Sequence, residues 1–450
     1  MSFLVTIVAF LVTLGVLIVV HELGHYWVAR RCGVKVLRFS IGFGRPLYRK
    51  VAGPDQTEWV VAALPLGGYV RMLDERDSEN GPIAPADLPR AFNRQSVYKR
   101  IAIVLAGPLA NLLLAIGVYW LLNVYGVMEP QSLVAQPPAG TPAAVAGLRA
   151  GDRVTAVDGE EVRSFTDLNW LVLQRAVERD TVDLSVAGRD GVTRELQLDL
   201  STLSRKDFEG NPMPSIGLAV YGGAPRVGRV QDGGAAAKAG LLPGDRVLEI
   251  GRTPVTSSRQ LVERVRSAPG ETLSFLVERE GRTLQVDVTP ARVRDDKGAE
   301  VGRIGAELGE RPELVKVHYG PFESVGLAIG RTWDTAIFSL KMLGKMITGE
   351  ASWKNLSGPV TIADYAGKTA SIGLAAFLSF LALVSISLGV LNLLPIPMLD
   401  GGHLVYYAVE IVKGSPPADW VVEWGQRAGI GVLLTLTVLA LYNDLTRLLS

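Results

Sequence analysis

The sequence predicts a multi-pass α-helical membrane protein with four transmembrane helices and two tandem α/β domains inserted between the second and third spans. Two patterns lead to this fold class. Four stretches carry no charged residue and are long enough, or nearly long enough, to cross a bilayer. An internal repeat with strand-like alternation lies between the second and the third of them. Hydrophobic residues make up 48% of the 450 residues, so we expect a protein with one part in the membrane and one part in water.

Charge and cysteine content exclude two classes of protein. The formal net charge is only +1, so the chain has no basic footprint for nucleic acid. The single cysteine, Cys32, has no partner for an internal disulfide. We therefore expect neither a nucleic-acid partner nor a disulfide framework.

The four uncharged stretches define the predicted spans. The first has eighteen residues, about 27 Å of helix against a hydrocarbon core of about 30 Å. It lacks the basic start and small-residue cleavage site of a signal peptide, so we expect it to be retained. The uncharged stretches are Phe3–Val20, Ile101–Tyr125, Thr369–Leu399 and Ala428–Asn443. The predicted transmembrane segments are 1–29, 100–125, 369–399 and 428–443.

A histidine pair follows the first uncharged stretch directly, in the sequence His21-Glu22-Leu23-Gly24-His25. On a helix, residues four apart lie on the same face, so both imidazoles can bind one metal ion. Zn²⁺ suits this ligand type, and Glu22 is placed to act as general base on a water molecule. The pattern is typical of zinc metalloproteases. The alternative is a pair of structural histidines on an amphipathic helix.

The basic residues predict the orientation. Seven Lys and Arg residues and no acid lie between Arg30 and Lys50. This bias places residues 30–99 in the cytoplasm, so the segment from about 126 to 370 lies outside. The first helix then brings His21 close to the cytoplasmic edge of the membrane.

A third metal ligand is expected from the end of the third span. That span leads into Asn392-Leu393-Leu394-Pro395-Ile396-Pro397-Met398-Leu399-Asp400-Gly401-Gly402 and reaches the same depth as the histidines. A carboxylate at this depth is costly unless it is paired or bound to metal. The two prolines interrupt helical bonding where free backbone groups need partners, which indicates a buried cavity. The alternative role for Asp400 is the N-cap of a following helix.

The repeat lies in the segment predicted outside. Thr141–Val162 aligns with Gly234–Val255 with ten of 22 positions identical. The shared Ala-Gly-Leu-x-x-Gly-Asp-Arg-Val pattern resembles PDZ domains, which bind extended peptides at a sheet edge. We expect two PDZ-like domains, at 127–220 and 222–310. Their alternative role is to pack against the membrane domain only.

Together the two motifs resemble the site-2 protease family of intramembrane zinc metalloproteases, in particular members with two tandem PDZ domains. The resemblance covers essentially the whole chain. It implies one Zn²⁺ held by His21, His25 and Asp400, with Glu22 as catalytic base. It also implies that Asn392, Pro395 and Pro397 shape substrate binding beside the metal.

The family implies substrates and a location as well. Its members cleave single-span membrane proteins, notably anti-sigma factors already trimmed on their outer side, and leftover signal peptides. The expected location is the bacterial inner membrane, with the PDZ domains in the periplasm and the active site near the cytoplasmic edge. Two other functions remain open: an inactive relative that only holds envelope peptides, and a membrane-tethered protease acting in water.

Three further segments carry expectations. Residues 30–99 have strand-like runs that the family resemblance suggests form a hairpin dipping towards the site. Gly67, Gly68 and Tyr69 would hold an unwound substrate there, although an ordinary cytoplasmic loop is the alternative. Residues 322–349 predict an amphipathic helix on the outer membrane surface, where a passive anchor is the alternative to a coupling role. In the second span, Gly107 and Asn111 are expected to pack helices together.

Overall fold

The computed structural model describes residues 3–77, 83–208, 211–295 and 298–449. The chain forms two compact units. Met1–Val127 and His318–Ser450 together make the first, here called the membrane unit, and Met128–Val317 makes the second, here called the inserted unit.

Twelve α-helices occur in the described residues. In chain order they are α1 Phe3–Arg31, α2 Val97–Tyr125, α3 Pro142–Val145, α4 Phe165–Glu178, α5 Met213–Ile216, α6 Ala235–Ala239, α7 Ser258–Arg266, α8 Pro321–Thr348, α9 Pro359–Ile372, α10 Leu374–Asn392, α11 Asp400–Lys413 and α12 Asp419–Leu449.

Sixteen β-strands accompany them in the same residues. They are β1 Val36–Ala52, β2 Thr57–Met72, β3 Val127–Pro130, β4 Arg153–Val157, β5 Glu160–Glu161, β6 Thr181–Ala187, β7 Thr193–Asp199, β8 Arg226–Val230, β9 Arg246–Ile250, β10 Thr253–Pro254, β11 Leu273–Arg279, β12 Arg282–Val288, β13 Ala291–Arg294, β14 Glu300–Arg303, β15 Ala306–Gly309 and β16 Leu314–Val317.

In the part of the chain that the structure describes, four helices are long and apolar enough to cross a membrane, namely α1, α2, α10 and α12. The third and fourth of these helices differ in their bounds from the predicted spans, which were drawn from the absence of charged residues. The uncharged run 369–399 is three segments: α9 ends at Ile372, Gly373 adopts a φ of 147°, and α10 ends at Asn392. Pro395 and Pro397 then prevent helix until Asp400. In contrast, α12 extends well beyond 428–443, because charged residues at its ends are compatible with a helix.

Close backbone contact joins α1 to α2. A Cβ atom added to Gly24 would lie 2.3 Å from the Ala106 carbonyl oxygen, so only glycine fits. On its other side α2 packs against α8 and α10 through a buried apolar cluster that includes Tyr119, Ala328 and Ile386. Through these contacts α2 packs against α1, which carries the histidines, and also against α10.

β1 and β2 form a folded hairpin directly after α1, in which residues 38–41 of β1 pair with both residues 58–61 and residues 68–71 of β2. Its base packs on α1 and α2 through buried residues including Tyr26, Phe39 and Ile103. The register between the strands shifts repeatedly, and Gly42 and Gly44 adopt positive φ angles. The hairpin is therefore irregular in the middle of β1, around Gly42 and Gly44.

α8 occupies the segment predicted to be amphipathic. Ala328 and Thr332 are buried, whereas Phe322, Trp333 and Ile347 are strongly exposed. An exposed apolar stripe of this kind is typical of helices at a membrane surface.

The inserted unit repeats one set of elements with a spacing of 93 residues. β4 and β9 begin at Arg153 and Arg246, and α4 and α7 each begin after a serine that caps the helix, Ser164 and Ser257. The sheets have the orders β5-β4-β6-β7 and β12-β11-β9-β8-β15, with β10 paired to β9. We call residues 127–220 the first repeat module and residues 222–310 the second.

Candidate metal centre

Two histidines on one face of α1 form the centre of the site. His21 and His25 are four residues apart, and their Nε2 atoms lie 3.2 Å from each other. His25 is buried, and the rings meet edge to face with centroids 4.8 Å apart. The sequence spacing therefore brings the two nitrogens to one point, as predicted.

Asp400 reaches the same point from the distant end of the chain. Its Oδ2 lies 3.3 Å from Nε2 of His21 and 3.6 Å from Nε2 of His25. Asp400 is the first residue of α11, and Leu399 rather than Asp400 holds the N-cap position. The alternative that Asp400 serves as N-cap is therefore wrong.

The segment before Asp400 is strained. Met398 has a φ of 88°, which is unfavourable for any residue other than glycine. The interruption between α10 and α11 thus turns the chain sharply at the two prolines and directs the Asp400 side chain to the histidines. Such strain is frequent where a functional side chain must be held in place.

Backbone contacts fix the orientation of His25. Its Nδ1 lies 2.8 Å from the carbonyl oxygen of Ile103 on α2. A carbonyl only accepts hydrogen bonds, so Nδ1 carries the proton and Nε2 presents its lone pair to the cluster. This is the arrangement that metal-binding histidines commonly have.

At Gly107, α2 lies so close to the two imidazoles that no side chain would fit. A Cβ atom at Gly107 would lie 2.2 Å from Nε2 of His25 and 2.8 Å from Cε1 of His21. Gly107 therefore leaves room for the rings, a role that the sequence suggested only as helix packing. The next turn of α2 carries Asn111, which is buried beside His21.

The residues fit a zinc ion. Among the described residues, His21, His25 and Asp400 form a group whose ligand atoms all lie within 4.8 Å of one another. A tetrahedral ion with ligand distances of about 2.0–2.1 Å separates its ligand atoms by about 3.3–3.4 Å. The observed separations of 3.2, 3.3 and 3.6 Å match that spacing. Two imidazoles and one carboxylate are also a ligand set that Zn²⁺ prefers.

A cavity of about 650 Å³ opens beside the three side chains. Glu22 lies in its wall and is largely buried. A Cβ atom at Gly68 would come within 3.0 Å of Glu22 Cγ and 2.7 Å of Ile18, so β2 passes directly over this part of α1. The hairpin thus forms one wall of the cavity.

Four of the six predicted substrate-binding residues line this cavity, namely Gly67, Gly68, Tyr69 and Asn392. Pro395 and Pro397 are absent from the lining formed by the described residues. Pro397 instead packs on α12, where a Cβ atom at Gly429 would lie 2.1 Å from its carbonyl oxygen. The prolines therefore shape the backbone, and their side chains do not form the wall.

Sequence reasoning missed several residues of the wall. Phe43 stacks on Tyr69 with ring centroids 6.1 Å apart, and His403 and Tyr407 line the side formed by α11. Arg38 donates a hydrogen bond of 3.1 Å to the Tyr69 hydroxyl from the facing strand. The Gly-Phe-Gly sequence at 42–44 was the available signal, because glycines beside an aromatic residue mark an irregular strand.

Comparison with known proteins agrees with this geometry. Residues 9–436 match peptidase family M50. The chain belongs to this family. The resemblance to site-2 proteases is thereby confirmed, and the chain is a zinc metalloprotease.

Curated relatives match over the full length. A putative zinc metalloprotease of Ralstonia nicotianae is 45% identical and covers 99% of both chains. The regulator of sigma-E protease RseP of Escherichia coli is 41% identical and covers 100% of both chains. Among solved structures, the PDZ domain of an SdrC-like protein from Listeria monocytogenes is 27% identical over 19% of this chain and 86% of that chain. Its TM-score of 0.17 is too low to support an argument about the fold.

Proposed function

We propose that this zinc metalloprotease cleaves single-span membrane proteins within or near their transmembrane segments. The observation that carries the proposal is the convergence of His21, His25 and Asp400 beside a cavity walled by a strand. The histidines follow eighteen uncharged residues of a helix able to span a membrane, and Asp400 follows another such helix by eight residues. A hydrolytic centre in this position reaches peptide bonds that soluble proteases cannot.

We assign the zinc ligands as His21, His25 and Asp400, and the general base as Glu22. When bound, zinc supplies a Lewis acid that polarises a carbonyl group and makes a water molecule more acidic. Glu22, next to His21 in the chain, takes a proton from the attacking water and returns it to the leaving amine nitrogen. His25 is oriented by the Ile103 carbonyl, and Glu22 lies in the wall of the cavity beside the three ligand side chains.

The hairpin offers a way to present the substrate. Peptide bonds inside a helix are shielded, so a substrate must unwind before attack. β2 passes Glu22 at Gly68, and an extended peptide can add to a strand edge through backbone hydrogen bonds. We propose that Gly67, Gly68 and Tyr69 hold the unwound segment, with Asn392 on the opposite wall.

We further propose that the two repeat modules are PDZ domains that control access of substrates. Their elements recur with a spacing of 93 residues, and β15 lies at one edge of the second sheet. The segments on either side of the inserted unit meet, since the Tyr319 N–H donates to the Asn123 carbonyl at 3.0 Å. Both chain connections to the inserted unit therefore leave the membrane unit at one place.

The names of the relatives support a proposed substrate class and location. Because the E. coli relative is named regulator of sigma-E protease, we propose anti-sigma factors trimmed on their outer side as substrates, together with leftover signal peptides. The expected location is the bacterial inner membrane, with the modules in the periplasm and the site near the cytoplasmic edge. Lys and Arg residues between α1 and α2 support this orientation.

The deciding experiment is cleavage of a purified single-span reporter in detergent by wild type and by Glu22→Gln. Glutamine keeps the size of the side chain but cannot accept the proton, so activity should fall by about 10²–10⁴-fold or more. Mass spectrometry should place the cut within the reporter's span, and Glu22→Gln should retain its zinc. A cut in an aqueous loop, or equal rates in both proteins, would refute the proposal.

A further inference from the structure

Helix α2, which packs against the histidine helix α1, has a buried amide beside His21. Asn111 lies on α2 with no solvent exposure, and its Nδ2 is 3.3 Å from Nδ1 of His21. Its Oδ1 is buried and has no hydrogen-bond partner among the described residues. A buried oxygen without a hydrogen-bond partner normally destabilises a protein, so its presence here needs a reason.

The two histidines differ in the group that lies beside Nδ1, the ring nitrogen that faces away from the cluster. Nδ1 of His25 faces a carbonyl, which fixes one tautomer. Nδ1 of His21 faces an amide, which can donate through nitrogen or accept through oxygen after half a turn about the Cβ–Cγ bond. Only the second orientation suits a ligand, because His21 must present the lone pair of Nε2 and therefore carries its proton on Nδ1.

The position of Asn111 is fixed independently of His21. The Ser385 hydroxyl on α10 donates to the Asn111 backbone carbonyl at 2.7 Å, and both residues are fully buried. Gly107, one turn earlier on α2, is in contact with both imidazoles. The amide can therefore rotate, but its backbone cannot move away from the ring.

We propose that Asn111 is a positioning residue for the metal centre, whose side-chain oxygen accepts the Nδ1–H of His21 in the zinc-loaded enzyme. The inference rests on the proposed assignment of His21 as a zinc ligand. The unpartnered Oδ1 is then the acceptor that binding requires, and the amide nitrogen can serve the other tautomer when zinc is absent. Asn111 does not contact substrate in this role.

Zinc affinity of the full-length protein in detergent tests the proposal, measured by competition with a chromophoric chelator. Asn111→Leu keeps the approximate size but removes the acceptor, and its zinc dissociation constant should rise by about 10–100-fold. Asn111→Asp keeps an acceptor and should bind zinc about as tightly as wild type. Ser387→Ala is the control, because it removes a hydroxyl of α10 that bonds within its own helix to the Leu383 carbonyl and touches neither Asn111 nor His21, and its affinity should not change.

Each outcome has one meaning. Wild-type affinity in Asn111→Leu overturns the proposal, and so does equal loss in Asn111→Leu and Asn111→Asp, since the acceptor would then be irrelevant. If the metal-free Asn111→Leu protein does not melt cooperatively, Asn111→Asp decides alone, and weak zinc binding by it overturns the proposal.

His21→Ala, measured in the same titration, separates this inference from the assignment beneath it. Loss of affinity in His21→Ala with none in Asn111→Leu refutes the role of Asn111 only. Unchanged affinity in His21→Ala refutes the ligand assignment itself.

Discussion

Each unit contains a carboxylate that is largely removed from solvent, and the two carboxylates have different partners. Asp400 in the membrane unit lies against two histidine nitrogens. Asp245 in the inserted unit is 1% exposed and lies against the guanidinium of Arg279, with two hydrogen bonds of 2.7 Å. Asp245 is paired with a positive charge of the same chain, the Arg279 guanidinium. Asp400 instead faces two imidazole nitrogens, and their lone pairs and the carboxylate can bind the same external cation. The pairing of Asp245 suits a stable fold, and the arrangement at Asp400 suits the proposed metal site.

The same contrast exists on a smaller scale between the repeat modules. Asp152 occupies the place of Asp245 and accepts one hydrogen bond of 2.7 Å from Arg194 on β7. Asp245 receives a paired bond from Arg279 on β11, and Arg279 also donates to the Gly240 carbonyl. The repeated Gly-Asp-Arg-Val sequence thus keeps a buried carboxylate, while the arginine comes from a different strand in each module.

The largest expected effect follows from removing the charge of Asp400. Asp400→Asn should lose zinc and all detectable cleavage, because a neutral amide oxygen is a poor ligand for Zn²⁺. Asp245→Asn, the matched control, should keep one zinc per chain and cleave a trimmed reporter normally at low temperature. Elemental analysis and the reporter assay measure both. If Asp400→Asn keeps its zinc and its activity, the claim that Asp400 differs from Asp245 in binding the metal is refuted.

The next effect concerns the inserted unit as a whole. Replacing residues 128–317 with a short Gly-Ser linker is feasible because Asn123 and Tyr319 are hydrogen-bonded to each other. If the modules act as a filter, the shortened protein should cleave untrimmed substrates that wild type rejects. Continued rejection, with normal cleavage of trimmed substrates, would contradict the filter and leave the metal centre assignment intact.

The sequence was informative where chemistry is local. The spacing of His21 and His25 predicts a shared face of one helix, and the prolines before Asp400 predict a break in the backbone. The four apolar helices and the repeat also follow from composition and alignment. Apart from the repeat, which is found by aligning segments 93 residues apart, each of these features depends on residues close together in the chain.

The sequence predicted one long-range contact, that of Asp400 with the histidines, from their common depth in the membrane, but it did not predict the rest of the packing. The uncharged run 369–399 gave no sign that Gly373 ends one helix and begins another. Gly107 and Gly429 gain their roles only because the His25 ring and the Pro397 carbonyl come against them from other segments. Likewise, that Asn111 Oδ1 is buried without a hydrogen-bond partner is known only from the packing of α1 against α2.

A smaller effect should distinguish the two repeat modules. Asp245→Asn removes a charged, paired hydrogen bond and should destabilise the second module by about 2–3 kcal/mol. Asp152→Asn removes a single bond and should destabilise the first module by about 1–2 kcal/mol. Hydrogen exchange of β9 and β4 amides in the full-length protein measures both opening free energies. Equal losses would show that the paired geometry adds nothing.

The smallest effect is the acid dependence of the second module. Burial raises the pKa of Asp245, but hydrogen bonds from Arg279 and the Leu242 N–H outweigh burial and hold the pKa below its ordinary value. A lowered folded-state pKa gives stability that is present above the unfolded value of about 3.9 and is lost as the pH falls through the folded value. The stability gap between wild type and Asp245→Asn should therefore be constant from about pH 5 to 8 and shrink only below about pH 4. Pulse proteolysis with pepsin suits the acid range, and a gap that persists undiminished at the lowest pH would show that the charge of Asp245 is not what stabilises the second module.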